Sequence, residues 1–221
     1  MTDLQDASAQ AAESARPMPG ESEAYRAART TLLAEEIELR RHKERVAEMR
    51  RALPEGPVAP DYRFLDAEGR EVTLADLFRH KGTLYTYFWM GGPERQKPCP
   101  MCSSVLDAFD ATVPAIEERM AFAILGRSPV ARQVEWARDK GWRHLRFYQV
   151  VDDRFVEDHG LIQPDFGEVP WAGVWTRRDG EVRRFWADEM NGADPGQDPR
   201  GVMDPLPLWS ILDVTPEGRG A

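Results

Sequence analysis

The chain has 221 residues, with 29 Lys and Arg against 38 Asp and Glu and a net charge of -9. That length suits one sizeable domain with an appendage, and the acidic balance argues against a nucleic-acid partner. The first twenty residues have neither a basic start nor an apolar segment, and no stretch approaches the roughly 18 to 20 apolar residues of a membrane span, so a cytoplasmic protein with no membrane partner is expected.

Residues 1–20 are rich in Ala, Ser, Gln, Asp and Glu and close on Pro17-Met18-Pro19-Gly20. They are expected to be a disordered tail, because they offer too little apolar surface to offset the entropy of ordering. Residues 21–53 read as one long amphipathic helix with Ser22 as its N-cap. Tyr25, Leu32, Leu39, Val46 and Leu53 recur every seven residues, flanked by Leu33, Ile37 and Met49. Arg29, Glu36, Lys43 and Arg50 occupy the fourth heptad positions and specify a self-contained coiled coil poorly. The helix is therefore expected to lie on its own domain, with a homodimer through it as the alternative. Leu53 to Pro57 ends it, since Pro cannot continue a helix.

Residues 58–221 are expected to form the compact domain. Tyr62, Phe64 and Val72 mark two short strands around the turn Asp66-Ala67-Glu68-Gly69, followed by a helical turn from Leu74 to Phe78. A strand from Thr83 to Met90 leads through Gly91-Gly92-Pro93 and Pro98 to a helix near Ser103, and Pro114 suits the first turn of a further segment reaching Met120. Phe122 to Leu125 is a buried strand, Val130 to Lys140 a helix and Phe147 to Val151 a strand. Trp171 to Thr176 and Glu181 to Trp186 form a hairpin around Arg177-Arg178-Asp179-Gly180. This alternation predicts an α/β sheet with helices on its faces. The Pro-rich stretch from Met190 to Pro207 reads as a loop, and Trp209 to Val214 as a final docking segment.

The only two cysteines lie in Cys99-Pro100-Met101-Cys102, where a strand hands over to a helix. Two intervening residues closing into a first helical turn bring the sulfurs within reach of each other. Such a pair passes a substrate through a mixed disulfide, with Cys99 as nucleophile and Cys102 as the resolving thiol. Free N–H groups at a helix start lower a thiol pKa from about 8.5 toward 7 or below, and Lys97 adds positive charge upstream. The alternatives are weaker. A zinc site needs two further ligands, and His42, His80, His144 and His159 are scattered. A structural disulfide requires an oxidising compartment. Inert cysteines remain as the bland alternative. Asp107 and Asp110, one and two turns beyond Cys102, read as exposed helix residues rather than proton shuttles.

Residues 58–186 resemble the thioredoxin-like superfamily, in particular its peroxiredoxin-like branch. The likeness rests on Val72-Thr73-Leu74-Ala75-Asp76-Leu77 before the strand Leu84 to Trp89, on Ala131 to Gly141, and on Val169-Pro170 before the hairpin. From Ser22 onward the chain is similar to a bacterial domain-of-unknown-function family of thioredoxin-like proteins regarded as dithiol–disulfide oxidoreductases. That likeness is carried by Ala27-Ala28-Arg29 to Leu53-Pro54, by Cys99-Pro100-Met101-Cys102-Ser103 and by Leu212-Asp213-Val214-Thr215-Pro216-Glu217-Gly218-Arg219. The resemblance implies a thioredoxin-like three-layer α/β/α sandwich with a long N-terminal helix. It also implies a cis bond before Pro170, with Val169, Pro170 and Trp171 bordering the substrate and the Val169 backbone pairing with it.

The function these readings imply is dithiol–disulfide exchange with a protein or small-molecule thiol or disulfide, with no bound cofactor and no metal. Arg127 and Arg154 are candidates to approach the site, and Trp89 and Trp171 to wall it, Trp89 more as core. A thiol peroxidase is one alternative, although Pro93 to Cys99 lacks the hydroxyl and spacing of a peroxidatic site. A non-catalytic binding or assembly protein is the other.

Overall fold

In the computed structural model, residues 4–151, 153–164 and 167–189 are described. The chain divides into two compact units, Met1–Pro54 and Glu55–Ala221. The expected loop 190–207 and the segment from Trp209 to Val214 lie outside the described residues.

The first unit holds α1 (Ala7–Ser14) and α2 (Glu23–Arg51). The Ser22 hydroxyl accepts the Tyr25 N–H at 3.2 Å, as an N-cap should. The expectation of a disordered tail over residues 1–20 is corrected by α1. Asp6 caps this helix by accepting from the Ser8 and Ala9 N–H groups at 3.0 Å. Ala7 and Ala11, one turn apart, bury against Ile37, Leu33 and Ala34. Alanine supplies the helix propensity, and its small side chain lets two backbones approach without the large apolar residues that flag a core.

The second unit is built on a seven-stranded sheet. In chain order it comprises β1 (Arg63–Leu65), β2 (Glu71–Thr73), α3 (Leu74–Leu77), β3 (Thr83–Phe88), α4 (Pro100–Glu117), β4 (Ala121–Gly126), α5 (Val130–Lys140), β5 (Phe147–Val150), α6 (Arg154–Asp158), β6 (Ile162–Gln163), β7 (Gly167–Glu168), β8 (Trp171–Arg178) and β9 (Glu181–Ala187). The sheet order is β2-β1-β5-β4-β3-β8-β9, and β6 and β7 pair separately. β3, β4 and β5 run parallel, whereas β8 is antiparallel to β3 and β9 to β8. Its β4-β3-β8-β9 kernel is the thioredoxin-like arrangement.

Side chains alternate across the sheet. Tyr85, Tyr87, Phe122, Ile124 and Ala172 join the core packed by α4 and α5, while Leu84, Phe88, Ala123, Leu125, Trp171 and Trp175 join the core packed by α3 and α6. Right-handed crossovers from β3 to β4 and from β4 to β5 step the same way along the sheet, so both crossover helices fall on one face. The chain then returns to the other side of β3, and α6 covers the opposite face.

Several elements differ from the expectation. α4 runs through Pro114 as one helix, with Thr112 Oγ1 donating back to the Ala108 and Phe109 carbonyls at 3.1 Å. The hairpin turn is tighter, held by Asp179 (φ 49°) and Gly180 (φ 83°), and both residues sit in the left-handed region that such a turn demands. The short elements α6, β6 and β7 lack a periodic pattern and had no sequence signal. The hydrogen bonds to β9 begin one residue before the expected start at residue 58, because Arg184 donates to the Pro57 carbonyl at 3.0 Å, and Ala59 donates to that of Val182 at 2.8 Å.

Candidate active site

The end of β3 lies beside the start of β8, with Phe88 opposite Trp171. This is where the chain reverses its direction of travel along the sheet, and such switch points open crevices at strand ends. The loop from Met90 to Pro98 leaves β3 here and delivers Cys99 as the N-cap of α4 and Pro100 as its first residue. Pro is favoured at that place because its missing N–H would be unsatisfied anyway.

Both cysteines are free thiols and both are buried, Cys99 at 8% exposure and Cys102 at 1%. Their ionisation is split. The Cys99 pKa is lowered to about 5, chiefly because the Cys102 thiol hydrogen-bonds to its sulfur. The Cys102 and Met101 N–H groups at the helix start add to this, as does the charge of Arg95, while burial opposes it. The sulfur sits in the field of these N–H groups without closing a formal cap hydrogen bond. Cys102 is shifted the opposite way, first by serving as the donor to Cys99 and then by burial. Its sulfur also accepts the Met90 N–H at 3.4 Å and the Tyr87 hydroxyl at 3.8 Å. A thiolate beside a protonated thiol is the arrangement that a nucleophile and its resolving partner require.

The loop is held from below. Ser128 donates its N–H to the Gly91 carbonyl and its hydroxyl to that of Gly92, both at 2.9 Å. Arg132 reaches the Pro93 carbonyl at 2.9 Å. Gln133, fully buried, accepts from Trp89 Nε1 at 3.0 Å and donates to the Ser128 and Gly126 carbonyls. Trp89 is thus core, as expected. Glu168 presses its carboxylate against Gly92, and its side chain is only 9% exposed. Arg127 stands 3.8 Å from Glu168 Oε1, and burial raises the carboxyl pKa.

The remaining sequence expectations fare unevenly. Among the described residues no peptide bond is cis, so the bond before Pro170 is trans, contrary to the family likeness. The Val169 N–H is donated to the Leu161 carbonyl at 3.0 Å, which removes it from pairing with an incoming chain. Trp171 turns to the opposite face, edge-on to Phe155 and 4.6 Å from His159, so it does not wall the cysteines. Arg127 pairs with Asp153 and Glu168, and Arg154 with Asp158. The positive charge on Cys99 comes from Arg95, where adjacency had suggested Lys97. Asp107 accepts from Trp142 Nε1 at 2.6 Å, and Asp110 accepts from three successive N–H groups, those of Arg143, His144 and Leu145. They fasten α4 to the turn before β5. Tyr87, Met90, Arg95 and Glu168 are the residues that sequence reasoning missed, and the only trace of them was their place on or after β3 and before Pro170.

Among the described residues no group of three or more His, Cys, Asp or Glu is placed to hold a metal ion, and no helix is long and apolar enough to cross a membrane. The model of the family described as "Bacterial protein of unknown function (DUF899)" matches residues 15–221. The chain belongs to this family. No curated protein matches it in sequence. Among solved structures it is similar to a peroxiredoxin-like protein from Aquifex aeolicus, at 12% identity over 63% of this chain and 77% of that one, with a TM-score of 0.45. It is also similar to the exposed lipoprotein thioredoxin Etrx1 of Streptococcus pneumoniae, at 15% identity over 70% and 100%, with a TM-score of 0.43. A thiol:disulfide interchange protein from Bacteroides sp. aligns at 19% identity over 63% and 84%, with a TM-score of 0.42.

Proposed function

We propose that this DUF899 protein is a thiol–disulfide oxidoreductase in which Cys99 attacks and Cys102 resolves. The observation that carries the reading is the placement of the pair, with Cys99 as the N-cap of α4 and Cys102 buried one turn on with its thiol hydrogen-bonded to the Cys99 sulfur, which lowers the Cys99 pKa to about 5 and holds Cys102 protonated. A thiolate population near unity at neutral pH raises the rate of attack, since the thiolate is the nucleophile. Electrons come from another thiol protein or a small thiol, the acceptor is a protein disulfide, and a cytoplasmic, reducing setting returns the pair to the dithiol. Of the three residues expected to border the substrate, the reading retains Pro170, half-buried immediately before β8.

The test is reduction of insulin disulfides with dithiothreitol as electron source. The expected result is turnover by the wild type that is lost in Cys99→Ser. Equal turnover by wild type and by the Cys99→Ser, Cys102→Ser double variant would overturn the reading in favour of a binding or assembly protein. Rapid consumption of hydrogen peroxide without insulin reduction would replace it with a peroxidase.

A further inference from the structure

The two sulfurs are stabilised by different parts of the fold. Cys99 is served by the start of α4 and by Arg95, whereas the donors aimed at Cys102 come from β3 and the residue two beyond it. In the resting dithiol Cys102 needs little help, because its own proton is shared with the Cys99 thiolate. That changes once Cys99 has entered a mixed disulfide. Its negative charge is then gone, and Cys102 must ionise in a place only 1% exposed, where water cannot solvate the anion.

We infer that Tyr87 is a catalytic residue for this second step: its hydroxyl, together with the Met90 N–H, stabilises the Cys102 thiolate as it attacks the Cys99 sulfur. The inference rests on the dithiol reading above. Tyr87 is buried in the same apolar cluster as both cysteines, and Phe109 packs edge-on against its ring at 5.5 Å. Phenylalanine would satisfy that packing. The hydroxyl carries an extra cost of desolvation, offset by a partner, and the partner is the Cys102 sulfur at 3.8 Å. Burial and the neighbouring sulfur keep the phenol protonated, so it acts as a donor and never as the base. Both donors sit on or just beyond a central strand, fixed before the charge develops, which is the condition for electrostatic stabilisation of a reacting group.

The chemistry balances as follows. The Cys99 thiolate attacks a disulfide RS–SR, forming Cys99–S–SR and releasing RS⁻. Cys102 then gives up its proton to solvent and attacks the Cys99 sulfur, closing the Cys99–Cys102 disulfide and releasing the second RS⁻, which solvent protonates. Two electrons pass from the protein dithiol to the substrate disulfide.

Single-turnover reaction of the reduced protein with dithiobis(nitrobenzoate) separates the steps, because each attack liberates one coloured thiolate. The wild type is expected to release two equivalents in two phases. Tyr87→Phe is expected to slow the second phase about tenfold while leaving the first within about twofold, the size of effect that loss of one hydrogen bond to a charged atom produces. Tyr85→Phe, which removes a hydroxyl from the same face of β3, serves as control and is expected to change neither phase. An unchanged second phase in Tyr87→Phe would overturn the inference. So would equal slowing of both phases, or the same effect from Tyr85→Phe, since a general packing role would act on both. A wild type that releases only one equivalent would overturn the exchange reading itself and this role with it. That outcome is distinct from failure of the inference alone, in which the wild type still releases two.

Discussion

The carboxyl of Glu168 occupies the space that a side chain on Gly92 would need: a Cβ there would lie 2.6 Å from Glu168 Oε1. The contact joins β7 to the loop that presents the cysteines, and it buries a carboxylate whose Oε1 has no hydrogen-bond partner among the described residues. Burial raises its pKa above the ordinary 4.5, against the opposing charges of Arg127 and Arg95.

That shift fixes a direction. A carboxyl with a raised folded-state pKa holds its proton where the unfolded chain has lost it, so stability falls as pH rises from about 4.5 through the folded value. Glu168→Gln has no proton to lose. Its thermal midpoint, followed from about pH 4 to about pH 8 across the carboxylate range, is expected to gain on that of the wild type as pH rises. Parallel curves for the two proteins would show that Glu168 titrates normally.

The Cys99 thiolate is readable by alkylation. Its rate with iodoacetamide is expected to rise with a midpoint near pH 5. Cys102→Ala removes the largest stabilising contact and is expected to move that midpoint upward, and Arg95→Gln to move it upward by less, in the order of the contributions. A larger shift from Arg95→Gln than from Cys102→Ala would reverse the assignment.

The split also sets how the potential follows pH. Between the Cys99 pKa of about 5 and the raised Cys102 value, oxidation of the pair releases one proton with two electrons. The potential is then expected to fall by about 30 mV per pH unit, steepening to about 60 mV below the Cys99 pKa, where two protons leave. Equilibration in glutathione buffers at several pH values measures this, and a slope near 60 mV at neutral pH would mean that both thiols are protonated there.

The floor of the site is intolerant of added volume. A Cβ on Gly126 would lie 2.4 Å from Trp89 Nε1 and 2.8 Å from Gln133 Oε1, both fully buried. Gly126→Ala is expected to destabilise the protein by about 1 to 3 kcal/mol, as overpacking does. Gln133→Leu leaves the Trp89 N–H and two carbonyls without their partner and is expected to cost about 1 to 3 kcal/mol. Chemical denaturation measures both. Because the two changes share one network, the double variant is expected to lose less than their sum.

What the sequence determined by itself is what short-range chemistry determines. The Ser22 cap and the seven-residue spacing placed α2, the Asp179-Gly180 pair placed the β8–β9 turn, and the cysteine spacing after an apolar strand placed Cys99 at a helix start. Each signal lies within a few residues of the feature it specifies. The tail over residues 1–20 was misread because composition weighs large apolar residues, while α1 is held by a cap and two alanines.

Only the tertiary structure decided what surrounds the sulfurs. Trp89 meets Gln133 across 44 residues and Trp142 meets Asp107 across 35, and no periodicity connects such positions. Trp171, itself an expected substrate contact, turned away because alternate strand residues face opposite layers and its register opposite Phe88 assigns it to the far core. Tyr87 faces Cys102 for the same reason, one residue earlier on β3. The reactive pair is local, and so are the contacts that lower Cys99, whereas the burial of Cys102 and its contact with Tyr87 arise only when the sheet closes.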